Sequence, residues 1–363
     1  MLRRPFALRN LSSALGMPSV KRVRIYEVGA RDGLQNEPTI LPPETRIDLC
    51  RKLSRTGAAA VETAAFVNPK LVPQMSGAAD IVQALADASQ QQHMGKGCLP
   101  VLVPNLRGYH AATTAGAQSF AVMTAASETF SQNNIRMSVQ QSTEMALSIV
   151  AEAKRHGQAT RGYVSTALGC PFEGPVSPRA VADLSRQLYE GGCDEIVIAD
   201  TIGTGTPGSM AAVLALTLAH VPAADIAVHC HDTYGQALAN IYCALLHDVS
   251  TIDSSVAGLG GCPFAGPGAA GNVATEDVVY MLNGLGIETG VDYDAVVNIG
   301  EWVVAELGRD NASKAALASI RRRQAAACHT RGGDLTLSLG SDVLKGPAPE
   351  KQKGSGDSDT MRV

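Results

Sequence analysis

The chain alternates between short, β-branched apolar runs and longer stretches whose apolar residues recur at helical spacing. The short runs are VRIYEV (23–28), AAVET (59–63), PVLV (100–103), SFAVMT (119–124), GYVSTAL (162–168), EIVIAD (195–200), IAVHCH (226–231) and STIDSSVAG (250–258). Between them, residues 43–56, 138–156, 178–190 and 235–246 read as helices. Strands that alternate with helices predict a parallel sheet, because a parallel pair needs a crossover between its strands. Eight such units predict an α/β fold, a single (β/α)8 TIM barrel of about 250 residues, with extra C-terminal helices. An open, doubly wound sheet is the alternative.

Composition narrows this picture. Of 363 residues, 45% are hydrophobic and 18% charged, a mix that suits a compact protein rather than a disordered one. A net charge of -4 gives no electrostatic footprint for a phosphate backbone, so no nucleic-acid partner is expected. No run reaches the roughly 18 apolar residues of a membrane-spanning helix, so no membrane partner is expected either. The 8 cysteines are scattered without a C-x-x-C pair, which predicts reduced thiols.

The two ends differ from the middle. Residues 1–20 carry Arg3, Arg4 and Arg9 but no acid, the first carboxylate being Glu27. This reads as a transit peptide to the mitochondrial matrix, whereas a start at Met17 would leave the protein cytoplasmic. Residues 340–363 are polar and rich in Gly, Pro and Ser, which predicts a disordered tail. A barrel domain over 21–320 remains.

In such a barrel, chemistry belongs where strands end and the following loops begin. Arg31 and Asp32 follow the first run, Glu62 closes the second, Asp200 the sixth, and His229 and His231 the seventh. A glycine-rich loop with Cys262 and Asn272 follows the eighth, while strand interiors carry almost nothing ionisable. Alternate strand residues share a face, so His229 and His231 face the barrel mouth together and Cys230 turns toward the helices. Two imidazoles can chelate a divalent ion or form a structural hydrogen-bonded pair. With Asp32 and Asn272 at the same rim, the donor set suits Mg²⁺ or Mn²⁺, though two histidines and a carboxylate also hold non-haem Fe(II).

Arg31 beside such an ion could stabilise an oxyanion through charge-assisted hydrogen bonds. Glu62 ends an apolar strand, where an unpaired carboxylate is expensive to bury, and Arg31 is the nearest candidate partner. A thiol at Cys262 could transfer a proton, as could Cys170 in the near-copy Gly169-Cys170-Pro171-Phe172, and the residues alone do not choose between them. Gly203-Thr204-Gly205-Thr206-Pro207-Gly208 matches a dinucleotide fingerprint, but it lies in the sixth unit, and Thr206-Pro207 reads as a helix cap followed by proline.

Six stretches together carry a family likeness: EVGARDGLQNE (27–37), VETAAFVNPKLVPQM (61–75), RGYVSTALGCPFEG (161–174), DTIGTGTPG (200–208), VHCHDTYGQALAN (228–240) and SVAGLGGCPFA (255–265). From about Val23 to Lys314 the chain resembles the 3-hydroxy-3-methylglutaryl-CoA lyases, of the metal-dependent barrel family that also contains isopropylmalate and homocitrate synthases. The RDG and HCHD stretches mark the broad family, and SVAGLGGCP the lyases. The resemblance implies a barrel that cleaves 3-hydroxy-3-methylglutaryl-CoA to acetoacetate and acetyl-CoA. It implies Mg²⁺ or Mn²⁺ on Asp32, His229, His231 and Asn272, and substrate contacts from Arg31, Gln35, Asp200 and Thr201. It further implies Arg31 as enolate stabiliser, Glu62 as a positioning group, Cys262 as proton donor, a second task for His229 in moving the hydroxyl proton, and a homodimer. Two departures stand out: the loop from Cys262 to Asn272 is one residue longer than the family pattern, and the C-terminal region is altered. They leave room for a lyase acting on a longer 3-hydroxy-3-alkylglutaryl-CoA, and the shared RDG and H-x-H elements leave room for a Claisen-type synthase.

Overall fold

A computed structural model describes residues 16–86, 99–261 and 271–331, with side chains as far as 327. Residues 1–15, Cys262 and the 340–363 tail lie outside the described residues. Nine strands are described, Arg24–Glu27 (β1), Ala60–Val61 (β2), Ala64–Ala65 (β3), Val101–Leu102 (β4), Ser119–Ala125 (β5), Ala159–Ser165 (β6), Glu195–Asp200 (β7), Ile226–Cys230 (β8) and Thr251–Ser254 (β9). All pair in parallel, in the order β2-β1-β9-β8-β7-β6-β5-β4-β3.

The two ends of that order are consecutive pieces of one segment. β2 pairs with β1 and β3 with β4, while the backbone N–H of Glu62 donates to Glu27 O at 2.8 Å and that of Thr63 to Pro100 O at 3.0 Å. Residues 60–65 therefore run between β1 and β4, and the ring closes through them as a TIM barrel rather than an open sheet. Nine strands thus fill the eight expected positions, because the second is split at Glu62–Thr63. The eighth run is also shorter than its sequence suggests. It stops at Ser254, and a single turn at Val256–Gly258 follows, with Ala257 at φ 56°. Buried carboxylates hold that turn, Glu27 accepting from Val256 N and Glu276 from Ala257 N.

Strand alternation divides the core. Phe120, Val122, Val164, Ile196, Ile198, Val228 and Ile252 turn outward and cluster with helix residues such as Ile149, Leu188, Leu214 and Ile241. Cys230 lies in this same layer, away from the barrel mouth. The intervening positions turn inward, where the sequence suggested almost nothing ionisable, yet they hold a charged pair. Arg161 on β6 and Asp253 on β9 are both buried there as a mutual ion pair, which is what makes such burial tolerable.

The predicted helices appear at Pro43–Ser54, Val139–Arg155, Pro178–Glu190 and Ala237–Leu246. The helix Pro207–Thr217 begins where Thr206-Pro207 predicted, with Ser209 Oγ accepting from Thr206 N. After the barrel come Tyr293–Leu307 and Lys314–Arg331. Residues up to Ile320 form one compact unit, and from Arg321 the described chain is the remainder of that last helix. Among the described residues no helix is long and apolar enough to cross a membrane.

Candidate active site

The RDG stretch leaves β1 as a wide helical turn, Gly29–Gly33, that lays Arg31 and Asp32 across the barrel mouth. Gly33 is required there by close approach. A Cβ on it would stand 2.7 Å from Ser255 Oγ and 2.9 Å from Leu259 Cβ. Arg31 is buried and forks between two carboxylates, pairing with Asp32 through Nη1 and with Glu62 through Nη2 at 2.7 Å. Burial works against the charge on Arg31, yet Glu62 and Asp32 outweigh it and raise the guanidinium further. Burial pushes the Glu62 carboxyl up, and Arg31 pulls it back only in part.

His229 and His231 reach the same mouth from the end of β8. Asp32 Oδ2 lies 3.8 Å from His229 Nε2 and 3.7 Å from His231 Nε2, beyond direct hydrogen-bond contact. Across the three residues, one donor atom from each falls within 4.8 Å of the others. Burial opposes ionisation of Asp32, but Arg31 and the two histidines prevail and hold its carboxyl well below the usual range. An ionised carboxylate and two imidazoles converging without touching form a donor set that fits a divalent cation. Asn272 joins them, its backbone bridged to His231 and its Nδ2 donating to Asp32 Oδ2 at 2.8 Å.

Some of these groups form part of the wall of a cavity of about 500 Å³. Arg31, Asp32, His229, His231, Gln35 and Thr201 all line it. The Gln35 Oε1 is buried without a partner among the described residues, whereas Thr201 Oγ1 accepts from Thr166 N. Val67, Leu71, Val72, Phe130 and Met137 form an apolar side of the same cavity. Asp200 is not among the lining residues. It alternates with Ala199 and Thr201, and its Oδ2 accepts from Gly205 N at 3.0 Å. Cys170 is also set apart, buried with its Sγ 2.9 Å from Ser127 Oγ.

The chain has now supplied a closed parallel barrel with a carboxylate and two histidines at its mouth. An HMGL-like family model matches residues 22–303. The chain belongs to the HMGL-like family. One relative, the mitochondrial hydroxymethylglutaryl-CoA lyase of Arabidopsis thaliana, is 48% identical over 313 residues, 86% of this chain but only 65% of that protein's length. The cytoplasmic 3-hydroxy-3-methylglutaryl-CoA lyase of Mus musculus is 46% identical over 317 residues, covering 87% of this chain and 90% of the relative. Among solved structures, the hydroxymethylglutaryl-CoA lyase from Pseudomonas aeruginosa superposes with a TM-score of 0.79 at 46% identity, over 85% of this chain and 99% of that one.

Reading the sequence missed the groups behind the site. Asp253 meets the Nδ1 edge of His229, and Arg161, Glu195 and Tyr163, which also lines the cavity, continue the network. The signal was present as an Asp in the apolar run STIDSSVAG and an Arg beside GYVSTAL, at inward positions of their strands.

Proposed function

We propose that the chain is a lyase that cleaves 3-hydroxy-3-methylglutaryl-CoA to acetoacetate and acetyl-CoA. The observation that carries this reading is the convergence of Asp32, His229 and His231 beside Arg31 on one cavity, in a chain of this family. Asp32, His229 and His231 would hold Mg²⁺ or Mn²⁺, with Asn272 as a further oxygen donor if its amide turns. Bound there, the ion supplies Lewis-acid polarisation of the substrate's hydroxyl and carboxylate oxygens.

The reaction passes the proton of a tertiary hydroxyl to solvent, breaks the adjacent carbon–carbon bond to leave a ketone, and delivers the electron pair to the thioester as an enolate. Arg31, fixed by Glu62, offers a buried positive charge to that enolate. Cys262 is assigned the proton that turns the enolate into acetyl-CoA, on the strength of its place in the lyase-specific SVAGLGGCP stretch. Gln35 and Thr201 are assigned to substrate binding from their positions on the cavity wall. Asp200 is assigned the support of the loop ending at Gly205. His229 offers the cavity only Nε2, because Nδ1 is turned to Asp253. One nitrogen cannot ligate and accept the hydroxyl proton at once, and the neighbours Asp32 and His231 favour ligation.

A second reading, a lyase for a longer 3-alkyl chain, is favoured by the apolar side formed by Leu71, Phe130 and Met137. The acid-free leader supports a mitochondrial destination in either case. Incubation with 3-hydroxy-3-methylglutaryl-CoA and Mn²⁺ should yield acetoacetate and acetyl-CoA in equal amounts. Higher kcat/KM on a longer 3-alkyl substrate would select the second reading, and condensation of acetyl-CoA with a 2-oxo acid, without cleavage, would replace both by a synthase.

A further inference from the structure

Asp253 stands opposite His229 in the β8–β9 register and opposite Tyr26 in the β1–β9 register, with its side chain fully buried. Every neighbour that touches its carboxylate can donate a hydrogen bond. Arg161 donates through Nη2 to Oδ1 at 2.6 Å and through Nη1 to Oδ2 at 3.0 Å, and the Tyr163 hydroxyl donates to Oδ2 at 2.9 Å. His229 Nδ1 lies 3.2 Å from the same Oδ2.

Arg161 cannot move independently. Its Nε donates to Glu195 at 2.7 Å, and its guanidinium lies over the Tyr26 ring at 3.6 Å. The guanidinium grips both carboxylate oxygens at once, the geometry of an ion pair with an ionised Asp253. An ionised carboxylate only accepts hydrogen bonds. An unprotonated Nδ1 facing it would set lone pair against lone pair, so the contact selects the ring form with the proton on Nδ1.

We infer that Asp253 is a positioning residue that locks His229 in the Nδ1–H tautomer, with Arg161 and Tyr163 holding the carboxylate still. The lone pair of Nε2 is thereby presented to Asp32 and His231 at the cavity. This rests on the reading of His229 as a ligand, but its geometric basis lies on the other side of the ring. Partners of this kind orient metal-bound imidazoles, and their loss weakens metal binding about 10–100-fold.

The test uses the full chain with ¹⁵N-labelled histidine, recording long-range ¹H–¹⁵N spectra at a pH where the ring is neutral. His229 is assigned by the signal absent from His229→Gln. The metal-free wild type should show His229 with its proton on Nδ1, and a proton on Nε2 would overturn the inference without any need for a variant at Asp253. Asp253→Asn should then release the tautomer and weaken calorimetric Mn²⁺ binding about 10–100-fold in a chain that still melts cooperatively. A folded Asp253→Asn chain that binds Mn²⁺ within about twofold of wild type, with the tautomer unchanged, would overturn it as well. Failure of the ligand reading looks different: His229→Gln would bind Mn²⁺ as tightly as wild type, while the tautomer measurement would still decide the role of Asp253.

Discussion

Arg31 Nη2 donates to Glu62 Oε2 at 2.7 Å across the ends of two neighbouring strands, with the Glu62 side chain wholly buried. The pair joins the first and second strands at the barrel mouth and fixes a positive charge at the cavity wall. Removing Glu62 takes away one of the two carboxylates that balance the buried guanidinium and leaves Asp32 as the other. Glu62→Ala should therefore cost about 1.5–3 kcal/mol in urea unfolding, the worth of a charged hydrogen bond. Arg31→Lys, which keeps the charge but loses the fork, should lower kcat about 10²–10³-fold while Mn²⁺ affinity changes much less. Equal losses in both would assign Arg31 to the metal cluster instead.

The cavity cluster makes a thermal prediction. A ligand that binds only the folded chain adds about 2.7 kcal/mol at a hundredfold excess over Kd. Mn²⁺ should raise the melting temperature by several degrees, EDTA should reverse it, and His231→Ala should abolish the effect. An equal shift in that variant would place the cation elsewhere.

Stability should fall as pH rises through neutrality, because of two buried carboxyls behind the turn Val256–Gly258. Burial raises Glu27 to about 7 and Glu276 to about 8 from an ordinary 4.5, although backbone donors and, for Glu27, the Thr275 hydroxyl pull them down. Between 4.5 and those values the folded chain binds more protons than the unfolded one, so its stability decreases with pH. The favourable contribution is complete below the unfolded value and lost above the folded one. Each tenfold difference in proton affinity between the folded and unfolded chains is worth about 1.4 kcal/mol. Glu276→Gln should remove its share of this slope, gaining on wild type by a few kcal/mol between about pH 5 and 8. Parallel stability curves for the two proteins would contradict this assignment.

Gly33 should not tolerate even one methyl group. The space its Cβ would take is held by Ser255 and by Leu259, whose carbonyl oxygen lies at 3.3 Å. Gly33→Ala should cost about 1–3 kcal/mol and displace the Arg31–Asp32 turn, lowering activity at the same time. Chemical denaturation and kinetics on the same preparation measure both. Wild-type stability with full activity would show that the turn is free to move.

Strand alternation made the cavity face of the site legible in the sequence. It placed His229 and His231 together and sent Cys230 to the helices, as the structure shows. The expense of burying Glu62 pointed to Arg31, which is its partner. The same alternation, applied to β7, would have turned Asp200 away from Ala199 and Thr201. The Arg161–Asp253 pair was harder to see because its members are 92 positions apart. Each looks like an isolated charge in an apolar strand until the ring closes and brings β6 and β9 to a common interior. The split of the second strand leaves no mark in the sequence, because it depends on which neighbour each backbone amide meets, and AAVETAA carries no glycine or proline.

The most direct measurement is release of acetyl-CoA from 3-hydroxy-3-methylglutaryl-CoA by the full chain, with and without Mn²⁺, beside its Cys262→Ala variant. Metal-dependent turnover in the wild type, reduced by about 10²-fold or more in the variant, is the predicted result. A Mn²⁺-loaded wild type that leaves the thioester intact would contradict the account.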